Sequence, residues 1–417
     1  MEVKRDALLN RLMHLRHNGM IKVVTGMRRC GKSYLLFNLF SAALKKEGID
    51  ERHIIQVNLE DRRNKSLRDP DNLLKYIDSL LQDDKMHYVL LDEVQLVSEF
   101  EDVLNSYLHV KNADVYVTGS NARFLSKDVI TEFRGRGIEV RVHPLSFREI
   151  REAKPEIPKE KLWIEYMTYG GLPQVQTMTS DKERVDYLKN LFKHTYLRDI
   201  KERHNIQLDG DMEELIDTLA STVGGLTNPR KLADTFRSVK KSTISQDTIK
   251  LYIDLLQDAF IIERALRYDI KGKRYIDTPS KFYFEDLGLR NALLNFRQIE
   301  KTHLMENAIY NELRARGMSV DVGEVIWNTK DKDGRNIRKT LEVDFVCNEG
   351  YKRFYIQSAF SIPDHEKREQ ELQSLRRIDD SFQKIVIVGE HSARYQNEEG
   401  ILFMDIYDFL LRDESVK

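Results

Sequence analysis

The sequence predicts an α/β protein whose N-terminal part is a parallel β-sheet covered by helices. Short, largely apolar runs at 21–25 and 88–91 alternate with amphipathic segments of helical period, as buried parallel strands alternate with their crossover helices. The chain has 417 residues, enough for two or three domains that each bury a core. Its 41% hydrophobic and 32% charged residues are typical of globular proteins, and its two cysteines exclude a disulfide framework.

A glycine-rich loop follows the first predicted strand and opens the next helix. It has the spacing G-x-x-x-x-G-K-S between Gly26 and Ser33. The glycines let backbone N–H groups turn towards phosphate oxygens, and the helix N-terminus adds its positive dipole end. Lys32 is predicted to reach the β- and γ-phosphates of ATP, and Ser33 to ligate Mg²⁺. The predicted nucleotide-binding residues are Gly26, Met27, Arg28, Arg29, Cys30, Gly31, Lys32, Ser33 and Tyr34.

Two carboxylates follow the apolar run at 88–91. Asp92, at the end of that predicted strand, can hold Mg²⁺, and Glu93 can orient and polarise the attacking water. Neighbouring acids can also merely cap the next element. Their position about 60 residues after the phosphate loop favours the catalytic interpretation.

The next predicted strand, 115–121, ends in small polar residues. Asn121 is the predicted sensor of the γ-phosphate, and Ser120 is the alternative. Arg136, or failing that Arg134, follows this strand, where ring-forming ATPases place an arginine finger that reaches a neighbouring subunit's nucleotide. A solvated basic face is the other interpretation of these arginines.

These motifs, in this order, resemble prokaryotic AAA-type ATPases in which the ATPase domain is joined to a C-terminal domain of unknown function. The resemblance covers nearly all of the chain and implies binding and hydrolysis of ATP with Mg²⁺. The similar segments are TGMRRCGKS at 25–33, LLDEVQLV at 90–97, VTGSNARFLS at 117–126, EFRGRG at 132–137, PLSFREI at 144–150, YGGLP at 169–173, YLRDIKER at 196–203, KFYFEDLGLRNA at 281–292, MENAIYNELRARG at 305–317, LEVDFV at 341–346 and YIQSAF at 355–360.

Residues 206–290 predict a winged helix-turn-helix. Three helical segments precede a hairpin around Gly272, and Ser245 is predicted to cap the third helix. Between 230 and 281 there are 12 Lys/Arg and 7 Asp/Glu, so the local net charge is 12 − 7 = +5. This excess permits contact with the phosphates of DNA, although a packing module between domains is an equal alternative.

The order of elements in 291–417 (helix, strands, helix, strand) predicts a restriction-endonuclease-like fold. Glu306 and Asp344 match the first two metal ligands of such nucleases, but Gln357 and Ala359 stand where a second carboxylate and a lysine are needed. The nearest replacement on the same strand is Lys352, about 23 Å from Ala359. We therefore expect a degenerate site without nuclease activity, and the two acids can equally be structural.

The predicted organisation is an AAA-type ATPase domain with a helical lid or linker at 1–205, a winged helix at 206–290 and a nuclease-like domain at 291–417. The expected activity is Mg-ATP hydrolysis coupled to nucleic-acid binding. The alternative is a nucleotide-gated switch that acts on protein partners or assembles with further copies of the chain. No stretch of 18 apolar residues occurs, so we expect a cytoplasmic protein without a membrane partner.

Overall fold

The computed structural model describes residues 3–119, 135–198, 200, 210–330, 336–412 and 415–416. The chain forms two compact units. The first comprises Met1–Leu145, Leu172–Thr177 and Asp258–Phe260, and the second Ser146–Gly171, Met178–Gln257 and Ile261–Lys417. The domain boundaries near 205 and 290 stay a prediction. Within the described residues, no helix is both long and apolar enough to cross a membrane.

The first unit is built on one parallel sheet, as predicted. Its strands are β1 (Ile21–Thr25), β2 (Ile54–Asn58), β3 (His87–Asp92), β4 (Ala113–Gly119) and β5 (Gly137–Arg141). Their order in the sheet is β2-β3-β4-β1-β5, and each neighbouring pair is parallel. Because β4 separates β1 from β3, the carboxyl ends of these three strands lie side by side.

Helices precede and connect the strands of this sheet. The residues of β1 and β3 are all buried, which explains their apolar sequences. The helices are α1 (Asp6–His14), α2 (Lys32–Tyr34, continuing as a π-helix over Leu35–Phe40 and as an α-helix over Ser41–Lys46), α3 (Pro70–Leu80) and α4 (Phe100–Tyr107), with 3₁₀ turns at Glu51–His53, Arg62–Arg68 and Val94–Leu96 and a short helix at Pro173–Gln176.

The second unit contains a mixed sheet of eight strands in the order β12-β13-β11-β10-β9-β8-β6-β7. Parallel pairs (β6–β8, β10–β11 and β11–β13) occur beside antiparallel ones. The strands are β6 (Ile262–Asp269), β7 (Arg274–Phe284), β8 (Ser319–Lys330), β9 (Asn336–Glu349), β10 (Lys352–Ala359), β11 (Gln383–Val388), β12 (Tyr395–Gln396) and β13 (Leu402–Asp405).

The helices of the second unit lie before, between and after these strands. They are α5 (Phe147–Ala153), α6 (Lys159–Tyr169), α7 (Asp181–Leu191, continuing as a π-helix over Phe192–Tyr196), α8 (Gly210–Ser221), α9 (Pro229–Lys240), α10 (Gln246–Asp258), α11 (Leu287–Leu293), α12 (Lys301–Ala315), α13 (His365–Arg376) and α14 (Ile406–Leu411).

The predicted sequence of three helices and a hairpin is present as α8, α9, α10 and β6–β7. Ser245 caps α10, since its Oγ accepts the N–H of Thr248 at 3.0 Å. The hairpin does not stand alone, however: β6 pairs in parallel with β8 from Arg267 to Asp269. It is thus part of the same sheet as the C-terminal strands. The winged-helix and nuclease-like assignments stay predictions.

A buried carboxylate connects two of the segments on which the family resemblance rests. Asp286 accepts hydrogen bonds from the backbone N–H groups of Gly171 (2.7 Å) and Leu289 (2.9 Å). Gly170 has a φ of +72°, and a Cβ there would lie 2.3 Å from Asp286 Oδ1. Burial raises the pKa of Asp286 to about 6, against the opposing effect of these backbone hydrogen bonds. Gly170 therefore leaves room for this carboxylate, and the backbone of Gly171 binds it.

Candidate nucleotide-binding and catalytic site

The glycine-rich loop has the backbone that its two glycines permit. Gly26 has a φ of +137°, and a Cβ there would lie 2.1 Å from the carbonyl oxygen of Val142. Gly31, with a φ of +102°, is the residue before α2. Side chains other than glycine would be strained at both positions, and at Gly26 they would also collide with the chain after β5.

Lys32 is buried inside this loop. Its Nζ donates to the carbonyl oxygens of Gly26 and Met27, both at 3.0 Å, and the residue is 4% exposed. The ammonium is therefore held by loop carbonyls within the concave side of the backbone. This is the placement expected of a lysine that neutralises phosphate charge.

Arg5 holds the glycine-rich loop in place through hydrogen bonds to backbone carbonyls. It was not predicted as a site residue. Its guanidinium donates to the carbonyl oxygens of Cys30 (3.0 Å) and His143 (2.8 Å), which ties the loop to the segment after β5. The Cys30 thiol is buried and donates to the carbonyl oxygen of Val142 at 3.2 Å. A single arginine ahead of an amphipathic helix carries no sequence signal for such a role.

Asp92 lies at the carboxyl end of β3 and is 2% exposed. Its Oδ1 accepts hydrogen bonds from the hydroxyls of Ser33 (2.8 Å) and Thr118 (2.6 Å). Burial raises the pKa of Asp92, while these two hydrogen bonds act in the opposite direction. The structure thus brings Ser33 and Asp92 together. Thr118, at the end of β4, was missed by the sequence analysis.

Glu93 directly follows β3 and has a left-handed backbone, with a φ of 55°. Its N–H donates to Thr118 Oγ1 at 2.8 Å, and its carboxylate accepts from the amide of Gln95. A positive φ is uncommon for a glutamate, and it turns the chain out of the strand direction. The carboxylate is therefore oriented by contacts on both its backbone and its side chain.

The oxygen donors at this edge of the sheet fit Mg²⁺. A hydroxyl and a carboxylate 2.8 Å apart, Ser33 and Asp92, are hard ligands of the kind that this ion takes. Magnesium usually keeps several waters and binds through one or two protein oxygens plus phosphate oxygens. Ser33 and Asp92 are the residues that would hold it.

Arg136, another predicted site residue, does not lie at this edge of the sheet. Asn121, Ser120 and Arg134 lie outside the described residues. Arg136 is exposed and precedes β5, and its carbonyl oxygen accepts the N–H of Ile21 at 2.9 Å. It therefore lies at the amino end of β1, about 16 Å along the strand from the loop. Arg136 is too distant to act on the nucleotide of its own chain.

The remaining predicted loop residues differ in exposure. Met27 is buried, Arg28 is partly buried and Arg29 is exposed with a φ of 65°. Tyr34 is 45% exposed on the first turn of α2. Tyr34 and Arg29 thus offer accessible side chains beside the loop.

The second unit buries the acids predicted to be remnants of a nuclease site. Glu306 Oε1 accepts from Lys281 Nζ (3.0 Å) and from the Tyr283 hydroxyl (2.7 Å). Lys281 also lies 2.6 Å from Glu342 Oε1. Lys352 is the candidate cation on the same strand, but the structure places Lys281, from β7, against Glu306. The signal is absent from the sequence because the lysine is on a different strand, 25 residues before Glu306.

Asp344 is also buried, and its Oδ2 accepts the backbone N–H of Ser358 at 2.7 Å. Burial, followed by the charge of Glu306, raises the pKa of Asp344 well above its ordinary value. Burial disfavours the Lys281 ammonium, yet the carboxylates, with Glu306 first, raise its pKa above the ordinary value. Gln357 instead accepts from Ser374 Oγ at 3.5 Å. The Lys281 ammonium therefore compensates the charge of Glu306 in this structure. The absence of nuclease activity stays a prediction.

Comparisons with known proteins agree with this arrangement. A family described as an AAA domain matches residues 18–151, and one described as a domain of unknown function (DUF8612) matches residues 160–300. An uncharacterized protein of Haemophilus influenzae is 32% identical over 415 residues, which is 98% of this chain and 99% of that protein. An uncharacterized protein of Methanocaldococcus jannaschii is 27% identical over 363 residues, 84% of this chain and 77% of that one.

Among solved structures, the Walker-type ATPase of Pyrococcus abyssi has a similar fold. The TM-score is 0.50 at 15% sequence identity, and the match covers 70% of this chain and 96% of that chain. At this identity the likeness concerns the fold. The predicted P-loop ATPase fold is confirmed.

Proposed function

Because the chain belongs to the family in which an AAA domain precedes a domain of unknown function, we propose that it binds Mg·ATP and hydrolyses it. The observation that carries this proposal is the hydrogen bond between Ser33 and Asp92, at 2.8 Å. It joins the phosphate loop to the end of β3, which Glu93 directly follows. Nothing in the packing of a strand, a turn and a helix alone requires this pair.

Each residue of the site has its own role in phosphoryl transfer. The N–H groups of the loop and the Lys32 ammonium bind the phosphates and stabilise the charge that develops on them. Bound Mg²⁺ would neutralise phosphate charge when held by Ser33 and Asp92. Glu93 orients the attacking water and accepts its proton, and the Thr118 hydroxyl fixes the backbone that carries Glu93.

A neighbouring copy of the chain completes the site in this proposal. Arg136 is exposed and too far from its own loop to contact the same nucleotide. An arginine finger supplied in trans contributes on the order of 10³-fold or more to phosphoryl transfer. The active species in this proposal is a homo-oligomer, in which Arg136 of one copy contacts the nucleotide of the next.

Lys32→Ala tests the binding half of the proposal. We expect wild-type protein to bind a fluorescent ATP analogue and to release phosphate from ATP only with Mg²⁺, and Lys32→Ala to lose both. Lys111→Ala, at an exposed lysine of the same unit, is the matched control and should behave as wild type. Equal nucleotide binding by Lys32→Ala and wild type would refute the assignment of the loop.

Contact with DNA is a finer proposal, supported by charge. Lys271 and Lys273 are exposed in the turn between β6 and β7, and Lys241 is exposed at the end of α9. All three occur in the region with a net charge of +5. Binding through phosphates releases counterions and should weaken steeply as salt rises. Reversing the charge of these three lysines should abolish binding to duplex DNA at low salt, whereas Lys111→Glu should not. Absence of binding by the wild type at low salt would instead favour the protein-partner switch, and an ATPase rate that DNA raises would exclude that alternative.

A further inference from the structure

A cluster of two histidines and one aspartate lies at the sheet edge opposite the phosphate loop. His53 immediately precedes β2 and His87 opens β3, while Asp83 lies in the connection between α3 and β3. Since β3 runs from His87 to Asp92, the cluster is about 16 Å from the nucleotide site along that strand. None of its residues takes part in the chemistry proposed above.

The donor atoms of the three side chains converge. His53 Nε2 lies 2.9 Å from Asp83 Oδ2, and His87 Nε2 lies 3.9 Å from Asp83 Oδ1. One ligand atom from each residue lies within 4.8 Å of the other two. In a tetrahedral zinc site with bonds of about 2.0–2.1 Å, neighbouring ligand atoms are about 3.3 Å apart. Small side-chain rotations would bring the cluster to that spacing.

A backbone hydrogen bond orients the imidazole of His87. Its Nδ1 lies 2.8 Å from the carbonyl oxygen of Lys85, which can only accept a hydrogen bond. Nδ1 therefore donates to this oxygen, and Nε2 is the ring nitrogen that faces Asp83. Histidines that bind metals are oriented by the same kind of hydrogen bond from their other ring nitrogen.

The aspartate is also held in place. The backbone N–H of Lys85 donates to Asp83 Oδ1 at 3.0 Å, and Asn112 donates to the Asp83 carbonyl oxygen at 2.9 Å. Both histidines are buried, at 4% and 1% exposure, whereas the Asp83 side chain is 36% exposed. A metal ion could reach the cluster from the Asp83 side and keep a water on its open face.

We propose that His53, Asp83 and His87 form a transition-metal site that takes Zn²⁺, with water as the fourth ligand. Two imidazoles and one carboxylate suit zinc and the neighbouring metals of its series, whereas Mg²⁺ prefers oxygen ligands alone. A metal there would join the amino ends of β2 and β3 and the loop between α3 and β3. Its role would be structural, because it lies far from the reacting phosphates.

Cobalt titration tests this proposal with a readout independent of ATPase activity. The full-length chain, without a histidine tag and stripped with a chelator, is titrated with Co²⁺ in the presence of excess Mg²⁺. We expect one Co²⁺ per chain with the visible absorption of tetrahedral coordination, and displacement of that colour by Zn²⁺. His87→Gln should lower the affinity at least about 100-fold, since loss of even an outer-shell contact costs 10- to 100-fold.

Three further variants are the controls for this metal site. His109→Gln changes an exposed histidine of the same unit and should bind as wild type. Asp83→Asn keeps both histidines and should still lose the tetrahedral spectrum. This second variant tests the site independently if His87→Gln fails to fold. Asp92→Asn should retain the spectrum. The proposal is overturned if wild type shows no such spectrum, if His87→Gln and Asp83→Asn both bind as wild type does, or if Asp92→Asn alone abolishes binding.

Discussion

The hydroxyl of Thr118 can be tested by substitution, and the expected result follows from the hydrogen bonds that this hydroxyl makes in the site. Thr118→Val keeps the shape of the side chain and removes the hydroxyl, which is fully buried. Two hydrogen bonds are lost: the one to Asp92 at 2.6 Å and the one from the Glu93 N–H at 2.8 Å. A hydrogen bond to a charged group contributes about 1.5–3 kcal/mol and a neutral one about 0.5–1.5 kcal/mol. Local stability around the end of β3 should therefore fall by about 2–4 kcal/mol.

Native-state hydrogen exchange measures this loss at the residues concerned. Since each 1.4 kcal/mol is a factor of ten, exchange of the Glu93 amide should accelerate by about 30-fold or more. Asp92 should also become harder to ionise, because a hydrogen bond that lowers its pKa is gone. The ATPase activity of Thr118→Val should therefore rise with pH over a higher range than that of the wild type.

Thr118→Ser is the matched control, since it keeps the hydroxyl and loses only a methyl group. It should retain most of the protection at Glu93 and the wild-type pH profile. Equal exchange rates in Thr118→Val and Thr118→Ser, together with unchanged pH profiles, would refute the role assigned to the hydroxyl.

Three further predictions concern other parts of the chain. Mixing Arg136→Ala with Lys32→Ala protein should restore some ATPase activity, because each variant supplies what the other lacks; no rescue, with turnover per chain independent of concentration, would count against a finger in trans. Plasmid and single-stranded DNA should stay intact with Mg²⁺ or Mn²⁺, and metal-dependent cleavage that vanishes in Asp344→Ala would make the chain a nuclease. The folded chain keeps the Asp286 proton up to about pH 6, whereas an ordinary carboxyl releases it near 3.8, so the free energy of unfolding should fall by on the order of 3 kcal/mol as pH rises through that window. Asp286→Asn should remove this dependence in unfolding followed by tryptophan fluorescence, and an unchanged slope would exclude Asp286 as its source.

The central strands of the first sheet were predictable because β1 and β3 are buried at every position. The run at 21–25 was predicted with the same bounds as β1, and the run at 88–91, with Asp92 at its end, lies within β3. A largely apolar sequence, rather than alternation of apolar and polar residues, is the direct consequence of that burial. The partnership of Ser33 with Asp92 followed from the spacing of the two motifs.

The residues that were missed act through strand order and not through local pattern. Thr118 contacts Asp92 because β4 lies between β1 and β3 in the sheet. The spacing of residues along the sequence does not give this strand order. Lys281 meets Glu306 only after β7 and α12 have packed together. The hairpin looked independent because its tip is polar and exposed, and the parallel pairing of β6 with β8 depends on residues more than 50 positions apart.

ATP turnover by Glu93→Gln, measured beside ATP binding, tests the central claim most directly. Glutamine keeps the size of the side chain but cannot accept the proton of the attacking water. We expect wild-type affinity for Mg·ATP with turnover reduced at least about 100-fold, the contribution typical of a general base. Glu99→Gln, at an exposed glutamate on the same segment, should hydrolyse ATP as the wild type does. Turnover by Glu93→Gln at the wild-type rate would contradict the assignment of Glu93 as the general base and, with it, the proposed mechanism.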